Sequence, residues 1–239
     1  MLWVDLRFLS RNWAKTLATT LIAPVLYLLA FGYGLGRGVT IEGYSYLDFV
    51  IPGIVALTAM TTSFNAAGMK LHVDRLFYRC FDETLMSPVS LLSIAIGKTL
   101  IGVLRGLIST FALLLACFAF SRLSVVNGLF WLTLVITCFV FSFLGVLVAL
   151  LAKSHQDMSV FMSLVILPMS FLSGTFFSLG QVPQALQIVL SLSPLTHTSS
   201  CLRAAALGQA FPWGSLLILL GFGFAFLLGS YVVLKRLSS

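Results

Sequence analysis

The stretch GLFWLTLVITCFVFSFLGVLVALL, from Gly128 to Leu151, contains no Asp, Glu, Lys or Arg. It exceeds the roughly 20 apolar residues that carry an α-helix across a bilayer, and it lacks the apolar and polar alternation of a membrane β-strand. In hydrocarbon the backbone must satisfy its own hydrogen bonds, so the stretch reads as a transmembrane helix. Five more apolar runs lie on either side of it, giving expected spans at 16–34, 49–68, 99–120, 128–151, 159–177 and 213–234. Composition agrees: 9% of residues are charged and 59% hydrophobic, with mean hydropathy +1.07, whereas about a quarter of a soluble domain is charged. The expected fold class is an all-α integral membrane protein, with residues 1–239 forming a single transmembrane domain of six helices and no separate aqueous domain.

Orientation follows from the basic residues, which concentrate on the cytoplasmic side of a membrane. Arg7, Arg11, Lys15, Lys70, Arg75, Arg79, Lys98, Lys153, Lys235 and Arg236 fall in one set of segments between the spans, and only Arg37, Arg122 and Arg203 in the other. Both termini are therefore expected in the cytoplasm, as an even number of crossings requires. The net charge of +7 is spent on topology, and its scatter over helix ends does not make the clustered patch of a nucleic-acid-binding face. No cleavable signal peptide is expected, because Asp5 interrupts the first residues and no small-residue cleavage site follows. Leu2, Leu6, Leu9 and Trp13 share one face of residues 1–13, which reads as an interfacial helix on the inner leaflet.

Enzymatic and metal chemistry find little support. Cys80, Cys117, Cys138 and Cys201 form no C-x-x-C pair, and His72, His155 and His197 are scattered, so no metal site and no disulfide are expected. An intramembrane serine hydrolase would need a nucleophile in a G-x-S-G setting beside a base, but Phe171-Leu172 precedes Ser173-Gly174. Gly97-Lys98-Thr99 matches the end of a phosphate-binding loop, yet Leu92 stands where its first Gly belongs. No catalytic residue is assigned, and the alternative of a self-contained intramembrane enzyme or channel is kept for comparison. The acidic residues Asp5, Glu42, Asp48, Asp74, Asp82, Glu83 and Asp157 all lie outside or at the edges of the spans, which weakens an ion-driven carrier. Arg105 is the one charge expected inside a span.

Between the second and third spans, Val73, Leu76, Phe77, Cys80, Phe81 and Leu85 recur at spacings of three and four, and Asp74, Arg75, Tyr78, Arg79, Asp82 and Glu83 take the other face. The segment reads as a cytoplasmic amphipathic helix stopped by Pro88. The pattern fits two roles, a docking surface for a partner or an anchor for the loop.

Three segments resemble one family. Tyr44-Ser45-Tyr46-Leu47-Asp48-Phe49-Val50-Ile51-Pro52-Gly53 resembles the Y-x-x-F-x-x-P-G segment of ABC-2 type permeases, the membrane subunits of ATP-driven exporters. Asp82-Glu83-Thr84-Leu85-Met86-Ser87-Pro88-Val89 is similar to their E-x-L-x-[AS]-P-V segment, although its two acids sit closer to the leucine than is usual. Ser173-Gly174-Thr175-Phe176-Phe177-Ser178, followed by Pro183, by Leu192-Ser193-Pro194-Leu195 and by Arg203, resembles their fifth helix and external hairpin.

The resemblance implies a homodimeric permease in a bacterial inner membrane, driven by a separate nucleotide-binding ATPase subunit that holds ATP and Mg, with no cofactor in this chain. It implies coupling to the ATPase through Phe77, Phe81, Asp82, Glu83, Thr84, Ser87 and Pro88, and an external hairpin marked by Pro183, Pro194 and Arg203. Two apolar pieces, 185–192 and 195–207, are each too short to cross about 30 Å of hydrocarbon, so a re-entrant helical hairpin is expected there, with a surface-lying hairpin as the other reading. The cargo implied is amphiphilic, lipid-linked or hydrophobic, such as a polysaccharide, a lipo-oligosaccharide or a drug-like compound, moved in a lipid environment and with no role for nucleic acid.

Overall fold

The computed structural model describes residues 7, 13–30, 40, 41, 43–78, 81, 83, 86, 88–118, 127–177 and 183–238. Helix α1 (Trp13–Leu29) leads to a two-stranded antiparallel hairpin, β1 (Thr40–Ile41) and β2 (Tyr44–Ser45), in which Thr40 pairs with Ser45 and Ile41 with Tyr44. Gly43 turns the hairpin at φ +82°, a conformation open to glycine at little cost. Then come α2 (Tyr46–Leu76), α3 (Leu91–Phe118), α4 (Gly128–Leu151), α5 (His155–Phe161), a π turn at Met162–Ile166, α6 (Leu167–Leu172), α7 (Gln184–Ser191), α8 (Pro194–Leu207) and α9 (Trp213–Ser238). Among the described residues, α2, α3, α4 and α9 are long and apolar enough to cross a membrane.

Helix α2 is the axis of the bundle. It packs against α3, α4 and α8, and α4 in turn carries α9 on its other side. Phe49, Ile54, Met60 and Phe64 of α2 are fully buried, with Leu134, Phe141 and Leu144 of α4 and Leu195 and Leu202 of α8 in the same cluster. By contrast α9 exposes Leu217, Leu220, Phe224 and Leu228, the apolar outer surface that a lipid-facing helix presents.

Small residues let the backbones approach, the usual device where lipid gives helices no hydrophobic reason to associate. A Cβ on Gly145 would lie 2.6 Å from the Phe64 carbonyl oxygen, and one on Gly68 3.0 Å from the Gly145 carbonyl oxygen. Helices α2 and α4 thus touch backbone to backbone, and neither position can yield by rotating a side chain. Gly145→Val is expected to overpack this crossing and cost about 1–3 kcal/mol. A lower midpoint of thermal unfolding in detergent checks it, with Gly128→Val, where a Cβ meets nothing within 4 Å, as the neutral control.

Helix α4 occupies the residues expected of the fourth span. Elsewhere the helices are longer or differently broken. Instead of ending near Gly68, α2 runs unbroken to Leu76, with Leu71, His72 and Asp74 buried, and beyond it Phe81, Glu83 and Met86 are helical among the described residues. The reason is compensation: Lys98 Nζ lies 2.6 Å and Lys70 Nζ 3.1 Å from the Asp74 carboxylate oxygens, so a polar stretch is accommodated inside the bundle. Helix α3 starts two turns before the expected third span. The expected fifth span is divided, because Pro168 has no N–H to continue the α ladder. The Leu167 N–H instead reaches back to the Met162 carbonyl, the π register. The expected N-terminal interfacial helix, apart from Arg7 and Trp13, falls outside the described residues.

Candidate functional site

Helix α8 begins at Pro194, whose fixed φ and missing N–H suit a first turn, and ends at Gly208 with φ +68°. It is buried from Pro194 to Ala206 apart from Ser200, lying among α2, α4 and α9. Two side chains tie it to α7: Thr196 Oγ1 donates to the Leu190 carbonyl at 2.7 Å, and the His197 ring Nε2 meets the Ser191 carbonyl at 2.8 Å. Ser173 Oγ donates to Met169 O at 2.6 Å, so Ser173 and His197 bond to separate backbone carbonyls rather than to each other.

Near the end of α8, Arg203 is 7% exposed. Its Nε donates to the Phe49 carbonyl at 3.2 Å and its Nη2 to the Gly174 carbonyl at 2.8 Å, while the guanidinium carbon sits 3.7 Å from the centroid of the Phe49 ring. The planar fork of arginine can meet two carbonyls and a ring face at once, which lysine cannot. Gly174, at φ +69°, turns the chain after α6 so that its carbonyl faces Arg203. The same junction is fastened by Tyr46 Oη to the Phe176 carbonyl (3.3 Å), Tyr44 Oη to the Leu207 carbonyl (3.4 Å) and Ser199 Oγ to the Ser173 carbonyl (3.0 Å). A Cβ on Gly53 would come within 2.7 Å of the Thr175 carbonyl oxygen, so only glycine lets α2 meet this turn. Segments at 44–53, 173–176 and 194–207, separate in sequence, are one structural unit.

The opposite end of the bundle gathers basic residues. Arg75 Nη1 donates to the carbonyls of Ala149 (3.1 Å), Leu150 and Ala152 (3.2 Å), capping the C-terminus of α4 with a cation. The chain then re-enters a helix through a capping box: the Lys153 and Ser154 amides donate to Asp157 Oδ2 at 2.8 and 3.0 Å, and the Asp157 amide donates to Ser154 Oγ at 3.2 Å. The His72 and His155 rings meet with centroids 5.7 Å apart, tilted by 40°. Among the described residues no three His, Cys, Asp or Glu gather as a metal site.

The family model of the ABC-2 type transporter matches residues 1–207. The chain belongs to the ABC-2 type transporter family. The permease is 31% identical over 200 residues to the inner membrane transport permease YadH of Escherichia coli (strain K12), covering 83% of this chain and 78% of YadH. It is 28% identical over 203 residues to nodulation protein J of Rhizobium meliloti (strain 1021), covering 82% and 78%, and 29% identical over 213 residues to nodulation protein J of Neorhizobium galegae, covering 84% and 79%.

Within the permease, the residues expected to couple to an ATPase are dealt to different places. Phe81 is 2% exposed and packs with Leu71, Ile94, Val146 and Leu234, whereas Phe77, just past the end of α2, is 68% exposed. Glu83 and Pro88 are exposed, as are Tyr78, Met86 and Val89. Asp82, Thr84 and Ser87 lie outside the described residues. Of the hairpin markers, Pro183 is exposed at the start of α7, Pro194 is buried at the start of α8, and Arg203 is the hub described above. Arg105 lies on the wall of a cavity of about 560 Å³ between α1, α2 and α3. Neither this cavity nor the anchoring roles of Tyr44 and Tyr46 had a sequence signal beyond the motif that contains the tyrosines.

Proposed function

We propose that the permease is the membrane subunit of an ATP-driven exporter, with six crossings per chain over residues 1–239, working as a homodimer on two separate nucleotide-binding subunits that hold ATP and Mg. The observation that carries the reading is the junction around Arg203, where the permease-like segments meet in a chain that belongs to this family. Helix α1 and the run 155–172 supply the crossings beyond α2, α3, α4 and α9, since 17–18 residues rise about 26 Å. The end bearing Lys70, Arg75, Lys98, Lys153, Lys235 and Arg236 faces the cytoplasm. Helices α7 and α8 form the re-entrant hairpin on the far side, because α8 rises only about 21 Å yet is buried in the bundle. YadH is named for an inner membrane, and we assign this permease to the same membrane, carrying an amphiphilic, lipid-linked or hydrophobic cargo outward.

Coupling is assigned to the segment after α2. Phe81 seats it against α2, α3, α4 and α9, and Phe77, Tyr78, Glu83 and Met86 remain exposed for the ATPase. Extracted from its own membranes in mild detergent, the permease is expected to retain an ATP-binding polypeptide and Mg-dependent hydrolysis, and to lose the hydrolysis when that polypeptide is stripped away. Phe77→Ala combined with Glu83→Lys should weaken the complex about tenfold, the loss of roughly 1.4 kcal/mol of contact. Undiminished ATPase binding and export by this variant would reduce the segment to an anchor, and hydrolysis by the stripped chain alone would favour a self-contained enzyme.

A further inference from the structure

We propose that the cavity between α1, α2 and α3 binds the phosphate-bearing headgroup of an acidic amphiphile, with Arg105 as its anchor. This rests on the permease reading and narrows its cargo or lipid cofactor to one headgroup chemistry. Helices α2 and α3 present Asn65, Ser109 and Arg105 to the space, and Ala23, Pro24 and Tyr27 of α1 help to close it. Its volume of about 560 Å³ lies in the range that holds a small molecule.

Three of the donors facing the cavity, those of Arg105, Asn65 and Ser109, are uncommitted. Arg105 forms no hydrogen bond or ion pair among the described residues, and neither the Asn65 side-chain amide nor the Ser109 hydroxyl bonds to a side chain or carbonyl there. The lining threonines of α2 differ: Thr58, Thr61 and Thr62 donate to the carbonyls of Ile54, Leu57 and Thr58 within their own helix, so they form wall rather than ligand contacts. Among the described residues, no Asp or Glu lines the space. A guanidinium stays protonated under any biological condition, so the cavity carries an unneutralised positive charge.

Lys98, two turns earlier on the same helix, marks the contrast. Asp74 at 2.6 Å neutralises Lys98, whereas Arg105 lies about 10 Å farther along the α3 axis, away from the basic end. A charge at that depth is costly unless it has a partner or water. An anion with several acceptor oxygens meets the free fork, amide and hydroxyl together. The ligand is an amphiphile because Leu57, Ala66 and Met69 also line the cavity and because α3 is long and apolar enough to cross a membrane.

The test uses the purified full chain in neutral phosphatidylcholine nanodiscs, without any ATPase, so a failure of the exporter reading cannot affect it. Dihexanoyl phosphatidic acid, dihexanoyl phosphatidylcholine and inorganic phosphate are titrated in turn, with binding followed by native mass spectrometry. Phosphatidic acid should bind, and the other two should bind at least about tenfold more weakly. Arg105→Gln should weaken phosphatidic acid binding about 10- to 100-fold, the range for losing hydrogen bonds to a charged group, and Arg105→Lys should restore part of it. Thermal midpoints of both variants in neutral lipid report whether the fold is intact. A folded Arg105→Gln protein that binds phosphatidic acid like the wild type overturns the proposal, as does inorganic phosphate binding as tightly as the lipid.

Discussion

Arg203→Leu is expected to lower the yield of folded permease sharply and its unfolding midpoint in detergent by on the order of 10 °C. The side chain is 7% exposed and satisfies two backbone carbonyls from different parts of the chain, Phe49 O and Gly174 O. Hydrogen bonds to a charged group contribute about 1.5–3 kcal/mol each, and deleting the donor also strands buried acceptors. The contact with the Phe49 ring at 3.7 Å adds about 1–2 kcal/mol when desolvated. A total loss near 4 kcal/mol corresponds to roughly 8–16 °C in a chain of this size. Leucine keeps some of the packing volume, so the deficit reports the polar contacts. Arg203→Lys should rescue little, because a single ammonium on a flexible stem cannot face both carbonyls and the ring. Membrane yield and midpoint measured for both variants decide it: wild-type values for Arg203→Leu would mean that the segments hold together without their hub.

The fold was most legible where the sequence is most extreme. From Gly128 to Leu151 no charge interrupts the run, and α4 occupies those residues. Legibility failed where polarity is compensated from a distance. Asp74 and Arg75 read as part of the polar face of an amphipathic helix, yet Asp74 is neutralised from α3 by Lys98, and Arg75 directs its donors to the last carbonyls of α4. Spacing alone cannot reveal partners that lie 24 and 74 residues away. Phe77 and Phe81 share a face by periodicity, but α2 ends at Leu76, before Phe77, and Phe77 is exposed while Phe81 is buried. The divided helix around Met162–Ile166 was hidden for a different reason: the run is apolar throughout, and only Pro168 marks the break.

The candidate site was half legible. The resemblance picked out Tyr44 to Gly53 as one segment and Ser173 to Ser178 with Pro183, Leu192 to Leu195 and Arg203 as another, and the structure joins the two through bonds to backbone carbonyls. A carbonyl acceptor leaves no trace in residue identity. Gly53 and Gly174 are the exceptions: one must admit the Thr175 carbonyl at close range, and the other must adopt a positive φ. Arg105 could be singled out as an intramembrane charge from sequence, but the uncommitted amide and hydroxyl beside it could not.

Asp74→Leu is expected to cost about 3–5 kcal/mol, because it removes the carboxylate from Lys98 while the ammonium stays 7% exposed. Lys98→Met should cost less, since Lys70 Nζ remains 3.1 Å from the Asp74 carboxylate. The combined Asp74→Leu and Lys98→Met protein should recover most of the loss, since replacing a buried ion pair by apolar side chains of similar size is often neutral or stabilising. Unfolding measured in mixed micelles for the four members of this cycle gives a coupling energy, expected to be at least about 2 kcal/mol. Additive losses would mean that the two side chains act independently despite their 2.6 Å separation. The recovered double variant then separates stability from transport. The pair joins α2 to α3 beside the buried Phe81, at the end of the bundle assigned to the ATPase. A folded double variant that binds the ATPase but no longer raises its hydrolysis would place the pair in the transmission of force, and one that exports normally would confine it to holding two helices together.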